Sequence, residues 1–99
     1  MLVAESDDEG IVGFARLSLE EKVWGTSCEV HTLVVEEATR SAGVGGRLIG
    51  AAESWALAEG AKGIRVNVLL QNAGARAFYE REGYLPIALR YGKPLTPGK

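Results

Sequence analysis

The sequence predicts an α/β (α+β) domain with two helices and elements in the order βββαβαβ. Three observations carry this. The chain up to Val35 alternates apolar and polar residues with period two between turn-forming clusters. Leu33 to Leu48 then reads as a strand running into a glycine-rich loop that opens a helix. From Gly63 a second strand–helix unit follows, with one more extended segment behind it.

Leu2 to Ser6 forms a short strand, Asp7-Asp8-Glu9-Gly10 a hairpin turn, and Ile11 to Leu19 a second strand. Glu20 to Ser27, which contains Trp24-Gly25, connects to a third strand over Cys28 to Val35. Gly45 to Glu59 carries helical spacing. Leu48, Ala52, Trp55 and Ala56 fall on one face, and Gly60 is placed to cap the C-terminus. Gly63 to Leu69 is the next strand. Ala73 to Glu82 is the second helix, with Asn72 as N-cap and Gly83 as its stop, and Leu85 to Tyr91 is a last strand despite Pro86. Residues 92–99, with Pro94, Pro97 and Gly98, form a flexible tail on a single domain spanning 1–99.

With 99 residues, 46% hydrophobic and 24% charged, the composition is that of a globular domain rather than a disordered chain. No apolar run approaches the roughly 18 residues of a membrane span, so no membrane association is expected. Cys28 stands alone, which excludes an internal disulfide and makes a cytoplasmic location the expectation. Charge is distributed unevenly: residues 1–37 carry a net −7 and the remainder +5. That asymmetry suits an anionic cofactor on the second half and a cationic amine near the first, although Asp7-Asp8-Glu9 and Glu20-Glu21 also fit solvated turns. No basic stripe interleaved with aromatics appears, so nucleic acid is not an expected partner.

The glycine-rich loop is the best functional clue. The first N–H groups of a helix lack intrahelical partners and the aligned peptide dipoles leave partial positive charge there, so an anion satisfies both. Gly43, Gly45 and Gly46 let the backbone approach phosphate oxygens, and Arg40 and Arg47 bracket them with charge. Neither better-known phosphate loop fits: GxxxxGK[ST] is absent, and GxGxxG from Gly43 would need glycine where Leu48 stands.

Two motifs then combine. Arg40-x-x-Gly43-x-Gly45 follows one strand, and Asn72-x-x-Ala75-x-x-Phe78-Tyr79-x-x-x-Gly83-Tyr84 follows the next. In order and at this separation they resemble the GNAT acyltransferase superfamily, over roughly Glu29 to Tyr84. The resemblance implies a mixed, mostly antiparallel sheet and acyl transfer from acetyl-CoA (coenzyme A) to a primary amine of a small molecule or peptide. Against the family pattern an N-terminal strand and two helices, and a final strand, are missing, which implies a domain shortened on its N-terminal side. The exposed strand edge that remains leads us to expect a homodimer.

The resemblance also assigns roles. Backbone groups of Leu33, Val34 and Val35 would pair with the pantetheine arm, and Arg40, Ser41, Ala42, Gly43, Val44, Gly45, Gly46 and Arg47 would hold pyrophosphate. Tyr79 would protonate the departing thiolate, or else pack beside Phe78. Asn72 would contact the cofactor arm, or only cap its helix. In a strand of period two, Glu29 shares a face with His31, Leu33 and Val35, which makes Glu29 the candidate general base and His31 the alternative. Cys28 reads as a small buried residue, and Trp24 and Trp55 as packing residues. The competing function is a non-catalytic module that binds coenzyme A or a partner protein; a fragment folded only as a dimer, without ligand, is a third.

Overall fold

The computed structural model describes residues 2–6, 10–36 and 43–98, and the expected turn at Asp7–Glu9 lies outside them. The chain divides into two compact units, Met1–Leu69 and Leu70–Lys99.

In the first unit, β1 (Leu2–Ser6), β2 (Gly10–Lys22), β3 (Gly25–Val35) and β4 (Gly63–Val66) form one sheet in the order β1-β2-β3-β4. The first two pairings are antiparallel and β3 pairs β4 in parallel, which gives the mixed, mostly antiparallel sheet that was expected. The connection expected over Glu20–Ser27 is instead mostly strand. Glu20 pairs with Ser27 and Glu21 with Thr26, whose hydroxyl donates to Glu21 Oε1 at 2.9 Å, so only Val23 and Trp24 are left to turn the chain before Gly25 at φ 133°.

One irregularity decides which way β3 points. Arg16 lies opposite Thr32, but Leu17 lies opposite Val30, so His31 is an extra residue in β3. Such a bulge shifts the alternation by one and bends the strand. Cys28 and Val30, before it, are buried, and Leu33 and Val35, after it, pack on Val44 and Leu48. Glu29 and His31 therefore lie on one face and Leu33 and Val35 on the other, which corrects the expectation that all four share a face. Parallel pairing with β4 also ends at Val30–Val66. That is why β4 is shorter than the Gly63–Leu69 run that its alternation predicts.

The helix α1 (Val44–Ala58) covers one face of this sheet. Leu48, Ala52 and Ala56 are buried as their spacing predicts, joined by Val44 and Ile49, while Trp55 packs partly buried beside Cys28, Ala56 and Ala61. Trp24 remains half exposed, its ring over Gly63. Gly60, at φ 86°, closes α1 with a Schellman motif: the Gly60 N–H donates to Leu57 O at 3.1 Å and the Ala61 N–H to Ala56 O at 2.9 Å.

The second unit holds α2 (Ala73–Arg81). Leu85–Tyr91 forms no strand, and this part of the expected order fails: among the described residues the sheet has four strands, and Leu85, Ile87, Leu89 and Tyr91 are exposed. Alternation alone does not make a strand without a partner to complete the ladder, and Pro86 removes one donor. Residues 92–98 carry no regular structure and are exposed. No helix among the described residues is long and apolar enough to cross a membrane.

Candidate active site

At the start of α1, Gly43 takes the left-handed conformation (φ 78°, ψ 16°), which favours glycine, and no side chain among the described residues caps the helix. The first intrahelical bond is from the Arg47 N–H to Gly43 O, at 3.1 Å. Val44, Gly45 and Gly46 thus begin the helix with donors that need an outside acceptor. Gly45 and Gly46 have ordinary helical φ rather than positive φ; what they contribute is two adjacent first-turn positions without side chains. The candidates Arg40, Ser41 and Ala42 lie outside the described residues.

The strand leading to this helix is the second component. From His31 to Val34, β3 has no strand on the side opposite β2 among the described residues, because the pairing with β4 has stopped at Val30. An extended ligand can complete such an edge as a strand would. His31 to Val35 spans roughly 13 Å at about 3.3 Å per residue, with the bulge at its start.

The two candidate bases sit on the sheet face away from α1, in different settings. Glu29 is only 16% exposed; its Oε2 accepts from Ser27 Oγ at 2.9 Å and lies 3.7 Å from Arg65 Nε. His31 is exposed, and its Nε2 shares a hydrogen bond with Ser18 Oγ at 2.6 Å. Ser18 and Arg65 were not singled out by sequence reasoning. Both emerge only from strand register, Ser18 and Arg65 each lying directly opposite Glu29 on the two neighbouring strands. Cys28 is fully buried, and that burial, followed by the Glu29 carboxylate, raises its thiol above the ordinary range. It stays protonated and is no nucleophile.

In the second unit, Asn72 Oδ1 accepts from the Ala75 N–H at 3.1 Å, the expected cap. The far end of α2 accounts for the spacing of Tyr79, Gly83 and Tyr84. Gly83, at φ 93°, donates to Glu80 O at 3.1 Å and the Tyr84 N–H to Tyr79 O at 2.9 Å, a second Schellman motif. It brings the Tyr84 ring to 5.5 Å from that of Tyr79, whose other edge meets Phe78 at 4.9 Å. Tyr79 is thereby buried, and burial raises its phenol above the ordinary range. A phenol so placed keeps its proton at neutral pH and can act as an acid, not as a standing base.

A shallow depression of about 260 Å³ lined by Glu53, Leu57, Lys62 and Ile64 lies towards the other end of α1. It touches none of these groups.

The first unit thus holds a bulged strand with an open edge and, further along the chain, a helix whose first turn has no side-chain cap among the described residues. The chain belongs to the acetyltransferase (GNAT) family, whose model matches residues 1–84. Among solved structures it is similar to a Pyrococcus furiosus protein assigned as an acetyl transferase, with 27% identity, TM-score 0.85, and 94% of this chain covering 63% of that one. The glucosamine-6-phosphate N-acetyltransferase of Arabidopsis thaliana shares the fold at 17% identity, TM-score 0.78, with 95% and 65% covered. So does an aminoglycoside acetyltransferase from an uncultured soil metagenomic sample, at 18% identity, TM-score 0.75, with 90% and 61% covered. The chain thus spans under two-thirds of the length of each of these structures. No curated protein matches it.

Proposed function

We propose that this chain is an acetyl-CoA-dependent N-acyltransferase in which a primary amine attacks the thioester directly. The observation that carries this reading is the open edge of β3 in the same unit as a start of α1 that no described side chain caps. Pyrophosphate binds the N–H groups of Val44, Gly45 and Gly46, with Arg47 adding positive charge at the same turn and Arg40, Ser41, Ala42 and Gly43 completing the site. The pantetheine arm runs along the backbone of Leu33, Val34 and Val35, and Asn72 contacts it from its own unit. Catalysis is mostly positioning. The Leu33 N–H polarises the thioester oxygen. The incoming ammonium gives its proton to a base on β3, Glu29 or His31, and Tyr79 protonates the departing thiolate.

The acceptor is a cationic amine on a small molecule or peptide, which the acidic first part of the chain favours. We place the protein in the cytoplasm, as expected for a chain with one reduced cysteine, and as a homodimer, since β1 and β4 are both edge strands of the sheet. The test is thiol release from acetyl-CoA against spermidine, kanamycin and glucosamine 6-phosphate. Amine-dependent release is expected. Cofactor binding with no release for any amine would leave a coenzyme A-binding module in place of the enzyme.

A further inference from the structure

Building on this reading, we propose that Ser18 is the positioning residue that makes His31, rather than Glu29, the acceptor of the amine's proton. The bulge places His31 where β3 and β4 part, at the end of the open edge away from the phosphate-binding turn. The thioester end of an arm anchored at α1 and laid along β3 lies there. Glu29, one residue pair earlier, is three-quarters or more buried and already holds the Ser27 hydroxyl and the Arg65 guanidinium. Both contacts fall on Oε2, which ties the carboxylate to the sheet.

His31 is differently provided for. Its single side-chain partner among the described residues is Ser18, on β2. The tautomer we assign has Nε2–H donating to Ser18 Oγ, which fixes the ring and leaves the Nδ1 lone pair without a partner. A primary ammonium transfers one proton to Nδ1, giving imidazolium and the free amine, and the amine nitrogen then attacks the thioester carbon. Arg16 and Glu20 on β2, Glu29 on β3 and Arg65 on β4 share this face, so the ring stands among charges of both signs.

His31 is the only histidine in the chain, so one pair of ring nitrogen resonances reports the whole effect. We would record them by ¹⁵N NMR for the wild type, Ser18→Ala and Ser18→Thr, and measure thiol release across the acid limb of kcat with spermidine, kanamycin and glucosamine 6-phosphate. The wild type and Ser18→Thr are expected to show protonated Nε2 and bare Nδ1, and Ser18→Ala a mixture of tautomers. Ser18→Ala should lower kcat by about tenfold with KM for acetyl-CoA held, and His31→Gln by about a hundredfold or more. An unchanged ring spectrum and acid limb in Ser18→Ala, with acetyl-CoA bound and turned over, would overturn this proposal and leave the acyltransferase standing. Failure of folded wild type to bind acetyl-CoA would overturn both.

Discussion

The two helices end alike and begin differently. Each stops at a glycine with positive φ in a Schellman motif, Gly60 in α1 and Gly83 in α2, so both C-termini satisfy their own carbonyls. At the other end, α2 is capped by Asn72, whereas α1 starts from Gly43 with no side chain among the described residues to accept its first N–H groups. On the proposed function, self-sufficiency at three ends and not at the fourth separates the helix that supports a side chain from the one that would receive a ligand. Where the polypeptide declines to satisfy its own donors, an anion can.

Ways to break that contrast fall in order of size. Tyr79 is the side chain that α2 supports. Tyr79→Phe should lower kcat by about 10²-fold or more while acetyl-CoA affinity is kept, as initial-rate kinetics would show; equal loss of both would mean that Tyr79 only packs. The same substitution has a signature in stability. Burial raises the folded phenol above its unfolded value of about 10. Its contribution is therefore full below that pH and is lost as pH rises through the folded value. Denaturation at increasing alkaline pH should show a shallower decline for Tyr79→Phe than for wild type.

The anchorage of α1 can be loosened without touching its first turn. A Cβ at Gly13 would stand 2.8 Å from Val34 O and 3.0 Å from Leu48 Cδ1, where β2 passes beneath the helix. Gly13→Ala should cost about 1–3 kcal/mol in urea unfolding. Smaller is the effect on the capped end. Asn72→Ala should lose about 1 kcal/mol and Asn72→Asp should recover most of it; a drop in acetyl-CoA affinity in Asn72→Asp at unchanged stability would assign Asn72 to the cofactor as well. Smallest, and of opposite sign, is Gly50→Ala within α1, where a Cβ meets nothing within 4 Å. It should stabilise by up to about 1 kcal/mol.

What was legible in the sequence was local. Asn72, Gly60 and Gly83 act within four or five residues of themselves, and the face of α1 follows from helical spacing, so these were read correctly from residue types alone. The bulge was not legible. Nothing in Glu29-Val30-His31-Thr32-Leu33 marks His31 as the extra residue, because the irregularity is defined by pairing with β2. From it follow the split of the four candidate residues between two faces, the early end of β4 and the appearance of Ser18 beside His31. Leu85–Tyr91 failed for the same reason: its alternation is real, but a strand is a property of a pair.

The central claim is that the uncapped start of α1 holds the pyrophosphate of acetyl-CoA. Calorimetric titration of acetyl-CoA into wild type and Gly45→Glu, with thermal unfolding of both, tests it directly. A carboxylate in the first turn favours the helix dipole, so the fold should be kept or slightly strengthened, while bulk and negative charge enter the phosphate site. The account predicts binding of about micromolar affinity in wild type and a loss of about a hundredfold or more in Gly45→Glu at undiminished stability. Equal affinity in the two proteins would contradict it.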